Sequence, residues 1–220
     1  MKRLRIAIIG AGGFAREVAW LVSDINRASP TYEFAGFVVS DLSRLGERDS
    51  REQVLGDYEW LAGHQGRTVD AIAIGIGNPS LRLRVAAELR NLFPNLQWPA
   101  LVHPTVQFER ETATLGQGIL LCAGVIGTVN LQFHDCCMCN LSCTIGHEAV
   151  IGPGSVLNPT VNVSGGVTLG SGVLVGTGAQ ILQYVTVHDG ATVGSGAVVT
   201  KDVPSGITVV GVPAQPLRKN

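Results

Sequence analysis

Ile145-Gly-His-Glu-Ala-Val-Ile151-Gly-Pro-Gly-Ser-Val-Leu157-Asn-Pro-Thr-Val-Asn-Val163 opens a run in which every sixth residue is aliphatic, continuing through Leu169, Val175, Ile181, Val187, Val193 and Val199. Two places before each stands a small or β-branched residue, from Cys143, Ala149 and Ser155 to Ala191 and Ala197, and a glycine often follows, as at Gly146, Gly152, Gly170, Gly176 and Gly194. Extended backward, the register meets Cys139, Phe133, Gly127, Leu121 and Leu115. A period of six is not that of an α-helix and is too regular for unrelated strands. It makes each unit one flat side plus one corner of a parallel β-helix. Three sides close a coil, so 18 residues make one turn, and positions 115 to 200 hold nearly five coils.

Charge separates this run from the rest of the chain. Of 33 charged residues in 220, only Asp135, Glu148 and Asp189 fall between Ala113 and Thr200. The break predicts two domains, residues 1–105 and 106–220, meeting near Pro99, Pro104 and Glu109-Arg110-Glu111. Upstream, Ile6–Ile9, Glu33–Val39 and Ala71–Ile74 read as buried strands, and Phe14–Ile25 and Leu81–Leu92 as helices. Strand alternating with helix implies a parallel sheet in an α/β, Rossmann-like domain. Gly10-Ala-Gly12-Gly13-Phe14-Ala15 lies between the first strand and the first helix. Glycines there let a ligand approach the backbone, and free N–H groups of a helix start suit phosphate oxygens. Gly10, Gly12, Gly13 and Phe14 are therefore candidates for holding a nucleotide diphosphate, with Asp41 toward a ribose and Gly77 and Asn78 on the same carboxyl edge.

Composition narrows the partners. Sixteen Lys+Arg against 17 Asp+Glu, a net charge of -1 and no basic run give nucleic acid or anionic lipid no electrostatic stripe to bind. No apolar run reaches the ~18 residues of a membrane span. The charged start Met1-Lys-Arg-Leu-Arg5 passes into a stretch that glycines soon interrupt, unlike a signal peptide, which leads us to expect a soluble cytoplasmic protein. Four of the five cysteines, Cys136, Cys137, Cys139 and Cys143, fall within eight positions. Cys139 is in the inward register and Cys137 and Cys143 in the small one, so they read as core residues and no metal site is expected.

Stacking brings residues 18 apart within about one strand spacing, ~4.8 Å. His147 then lies beneath Gly165, so one corner offers an imidazole, whose ordinary pKa near ~6.5 suits a general base, and a main-chain amide that can hold an oxyanion. With Asn140-Leu-Ser-Cys-Thr-Ile-Gly-His147-Glu148, Gly176-Thr-Gly178-Ala179, Gly196-Ala-Val-Val-Thr-Lys201 and Val210-Gly-Val-Pro-Ala214, the chain resembles the hexapeptide-repeat sugar acetyltransferases of the sialic-acid O-acetyltransferase and nucleotide 4-amino-sugar N-acetyltransferase family.

The resemblance implies a left-handed parallel β-helix and a homotrimer with active sites between subunits. It implies acetyl transfer from acetyl-CoA to the amino group of a nucleotide-linked 4-amino-deoxysugar, feeding a surface polysaccharide or another bacterial glycan. It makes His147 the base, Glu148 the residue that raises its basicity, and the backbone of Gly165 the contact for the acetyl oxygen. Asn140, Thr177, Ser195 and Lys201 become cofactor contacts, Lys201 through a CoA phosphate. A second histidine that some members carry nine residues after the base is Val156 here. O-acetylation of a sialic acid is the alternative within the class, and a nucleotide-binding scaffold without catalysis the alternative outside it.

Overall fold

The computed structural model describes residues 3–217, so Met1 and Lys2 of the charged start lie outside the described residues. The N-terminal sheet has four parallel strands in the order β3-β2-β1-β4: β1 is Leu4–Ile9, β2 Tyr32–Val38, β3 Val54–Gly56 and β4 Ala71–Ile74. Helix α1 spans Gly13–Ala28, α2 Tyr58–His64 and α3 Pro79–Leu92. The sequence reading located three of these strands and two of these helices; β3 and α2 were not foreseen. Their stretch is short and polar, with Leu61 its one fully buried hydrophobic side chain, so no apolar period marks it. Strand order reverses between β1 and β4, which opens a crevice at their carboxyl ends, the usual ligand position in such sheets.

The second half is a parallel β-helix. Two-residue strands pair at a separation of 18 positions on all three sides, as in Met138 with Val156, Thr144 with Asn162 and Val150 with Thr168. Its first strand, Leu101–Val102, pairs with Leu120–Leu121. The inward series from Ile145 to Val199 is at most 3% exposed throughout, as the hexad requires. Glycine after an inward residue is enforced by the neighbouring coil: a Cβ on Gly146 would lie 2.5 Å from the Gly165 nitrogen, and one on Gly176 as close to that of Ser195.

The lower end departs from the extrapolated register in two places. Gly127 supplies no side chain, and its space is taken by Leu131 and Phe108. Leu115 is 38% exposed rather than inward, because the stack ends there and no coil covers it from below.

Every sixth residue from Gly118 to Gly196 turns a corner with φ between 56° and 73°. Glycine adopts this left-handed conformation freely, whereas other residues pay roughly 1–2 kcal/mol for it. Six corners nevertheless carry side chains: Asn130, Cys136, Ser142, Glu148, Thr160 and Tyr184.

The two halves share a core. Ala15, Val18 and Leu21 of α1 join Leu120, Met138 and Val156 of one β-helix side. On the other flank Arg82 of α3 is fully buried and donates to the carbonyls of Cys136 (2.5 Å), Ile74 (2.8 Å) and Ile76 (3.0 Å). One side chain thus links the end of β4 to a β-helix corner. Burial pushes its guanidinium below the ordinary arginine value. Arg90 adds a bridge of 2.9 Å to Asp135 while lying over the Trp98 ring. Arg82→Ala leaves three carbonyls without this donor, at about 1–3 kcal/mol for each one that stays buried. We expect a fall in the thermal midpoint of at least about 6 °C, read by circular dichroism; an unchanged midpoint would show that water replaces the guanidinium at no cost.

Candidate active site

His147 occupies the corner after the strand Thr144–Ile145. Alternating strand geometry would send His147 and Glu148 to opposite faces. Glu148 has φ 61°, however, and this turn brings its Oε2 to 3.5 Å from His147 Nδ1. Both side chains are more than half exposed. The other ring nitrogen, Nε2, lies directly under Gly165, where any Cβ would collide with the imidazole. Gly166 N–H donates to the His147 carbonyl at 2.7 Å, and Tyr184 N–H donates to the Gly165 carbonyl at 3.0 Å. These bonds hold the Gly165 peptide in place, while its own N–H has no protein acceptor among the described residues.

The remaining cofactor candidates divide between two corners. Lys201 continues the column His147, Gly165, Gln183 at the same 18-residue step. Thr177 and Ser195 belong to the column of Leu141 and Pro159, one six-residue side away. Asn140, 7% exposed, is not beside His147. Its carboxamide oxygen accepts from the Leu141 N–H at 2.8 Å, in a narrow space bounded by Glu17, Trp20 and Asp24. Val156 is buried against α1, unavailable to a cofactor.

A second concavity of about 370 Å³ lies at the carboxyl ends of β1, β2 and β4, lined by Gly10, Asp41, Arg44, Ile76, Arg84 and Glu88 among others. Gly10 has φ 105°, a value that favours glycine, and its N–H donates to the Val38 carbonyl. Gly12 is the N-cap of α1 with no capping side chain and no acidic residue in the first turn, which leaves the N–H groups of Gly13, Phe14 and Ala15 as potential anion donors. Asp49 approaches Gly12 and limits how much negative charge that turn accepts. Asp41 caps a short 3-10 turn through Ser43, whose hydrogen bonds hold its carboxyl below the ordinary value. Asn78 caps α3, its oxygen accepting from the Leu81 N–H at 2.9 Å, while the space at Gly77 is open. Sequence reasoning missed Arg44, Arg84 and Glu88. An Arg and a Glu four apart on α3, the helix after β4, were the available signal.

The five thiols are free and buried. Burial pushes Cys122 and Cys137 to about 12 and Cys143 to about 11, which keeps them protonated at neutral pH. No cluster of metal-ligating side chains occurs among the described residues, and no helix there is long and apolar enough to cross a membrane.

A Rossmann-like domain joined to a β-helix whose corner carries a histidine beside an unpaired amide is the arrangement that a two-domain hexapeptide-repeat acyltransferase would need. Residues 5–89 match the PglD N-terminal domain family. The acetyltransferase domain of PglB from Neisseria gonorrhoeae, solved with acetyl coenzyme A, is 29% identical over 98% of this chain and 100% of its own, with a TM-score of 0.84. PerB from Caulobacter crescentus, solved with CoA and GDP-perosamine, is 26% identical over 97% of each chain, with a TM-score of 0.83. WeeI from Acinetobacter baumannii is 29% identical over 97% of this chain and 100% of its own, with a TM-score of 0.81. No curated protein matches the chain. Over nearly its whole length the chain is thus similar to two-domain sugar acetyltransferases, among them a GDP-perosamine N-acetyltransferase, and its residues 5–89 carry the PglD N-terminal domain.

Proposed function

We propose that the protein transfers acetyl from acetyl-CoA to the amine of a nucleotide-linked 4-amino-deoxysugar. The observation that carries this reading is the His147 imidazole stacked under the unpaired Gly165 amide, in a chain whose fold matches structures solved with CoA and a nucleotide amino sugar. The sugar amine attacks the thioester carbonyl carbon and His147 Nε2 takes the amine proton. The carbonyl oxygen gains charge against the Gly165 N–H. As the C–N bond replaces the C–S bond, the thiolate leaves and is protonated to CoA-SH. Glu148, at 3.5 Å, favours the tautomer that presents a free Nε2. No acyl-enzyme is formed.

In this reading residues 1–105 hold the nucleotide sugar, with Arg44 and Arg84 opposing the diphosphate charge beside Gly10, Gly12, Gly13, Phe14, Asp41, Gly77 and Asn78. Residues 106–220 hold the thioester. The reading places Thr177 and Ser195, one side away from His147, against the same CoA from a second subunit of a homotrimer, in the cytoplasm where acetyl-CoA is available. Sedimentation at three times 23.1 kDa is the expected result.

The test is a panel of UDP-, GDP- and dTDP-linked 4-amino sugars with acetyl-CoA, read by thiol release. One nucleotide sugar is expected to turn over at least about tenfold faster than its hydroxyl counterpart. Release with sialic acid and none with any amino sugar would overturn N-acetylation.

A further inference from the structure

Tyr184 stands out among the corners. It adopts φ 61°, where a bulky side chain without a local polar bond to the backbone is rare, and its own side chain is 69% exposed. The strain of such a residue is of order 1–3 kcal/mol and persists only where the surroundings hold it. Its ring lies on Gly166: a Cβ there would come within 2.6 Å of Cε1 and closer still to Cδ1. Gly166 adjoins Gly165, so the ring is beside the peptide that roofs His147. Below Gly166 in the same column comes Glu148, the other long side chain at a left-handed corner. Leu182, 43% exposed, stands on the other side of Gln183, which is the residue stacked directly above Gly165. The coil above the proposed acyl slot therefore presents an aliphatic, a carboxamide and an aromatic side chain in succession, all exposed.

We infer that Tyr184 is a positioning residue for the thioester: its ring, with Leu182, forms the apolar wall along which the CoA arm descends to Gly165. This rests on the acetyl-CoA reading above and adds a residue to it. A pantetheine arm alternates amides with methylene and gem-dimethyl groups, which is the pattern that Gln183 between Leu182 and Tyr184 complements. The column continues to Lys201, three coil spacings or roughly 14 Å above His147, a span that an extended arm covers. The tyrosine is kept at a corner where glycine would fold with less strain because the ring holds the thioester carbonyl in register with the Gly165 N–H.

Tyr184→Gly tests this without risk to the corner, since glycine takes the same backbone conformation freely. Its melting temperature should be no lower than the parent's. The KM for acetyl-CoA is expected to rise about tenfold or more, while the KM for the amino sugar stays within about twofold. Tyr184→Phe should retain parental values, because the ring and not the hydroxyl makes the wall. Titration calorimetry with CoA alone, which needs no acceptor sugar, should show the same loss of affinity in Tyr184→Gly. Parent and glycine variant binding CoA equally would overturn the role of Tyr184 and leave acetyl transfer standing. A parent protein that binds no CoA would instead remove the acetyl-CoA reading on which the inference rests.

Discussion

His147→Ala is expected to lower turnover by about two to four orders of magnitude, the usual range for removal of a positioned general base. The loss should fall on kcat, with the KM for acetyl-CoA changed little, since the proposed reaction puts the imidazole at the reacting end of the thioester. The oligomeric state and the far-ultraviolet spectrum should be unchanged, because a half-exposed corner side chain contributes little to the core. Glu148→Gln should cost far less. Its carboxylate meets Nδ1 at 3.5 Å, with both side chains more than half exposed, and a pair so well hydrated is worth under about 1 kcal/mol, or about fivefold in rate. A glutamine also keeps an oxygen that can accept from Nδ1. Parental turnover in His147→Ala would move the base elsewhere, and His134 would be the next residue to replace.

Leu169→Asp should abolish the folded β-helix. Leu169 is 1% exposed and pairs with Ile151 below and Val187 above, so three consecutive coils close over it. Losing the leucine costs about 2–5 kcal/mol as a cavity. Placing an acidic group there adds about 2–7 kcal/mol even when it is protonated and uncharged, because its stacked neighbours Ile151 and Val187 are aliphatic. The sum rivals the whole stability of an ordinary domain, about 5–15 kcal/mol. Insoluble protein, or soluble protein without a cooperative melt, is the expected outcome. A soluble variant with the parental spectrum and melt would mean that residue 169 does not face inward. Thr168→Asp, at the exposed neighbouring position, is the matched control and should fold.

These two substitutions probe features that were readable in different ways. The inward column was legible because a narrow coil imposes one requirement, a small aliphatic every six residues, and repeats it. Where the requirement lapses, the reading lapses too. Gly127 hands its space to Leu131 and Phe108, and Leu115 has no coil beneath it. The stacking of His147 under Gly165 followed from the 18-residue turn alone. Contact between His147 and Glu148 did not, because it depends on one φ of 61° at a residue that ordinarily avoids that value. For the same reason the left-handed corners were hidden: six of them carry side chains, which breaks the glycine pattern that would have marked them.

In the N-terminal half, Gly10 and Asp41 line the crevice as the strand-turn-helix motif suggested, but Arg44, Arg84 and Glu88 reach it from segments without a motif. Arg82 is the extreme case. On α3 it reads as one more charged residue on an amphipathic helix, yet it is fully buried between two domains and bonded to three carbonyls.

Local pattern determined the coil, its register, three of the four strands of the sheet that precedes it and the level at which imidazole and amide meet, since each follows from short spacings along one chain. Only the tertiary structure decided which corner turns Glu148 toward His147, which arginines enter the crevice and how α1 and Arg82 fasten one domain to the other. Those outcomes rest on contacts between residues far apart in the chain, or on single backbone angles, and neither leaves a period in the sequence.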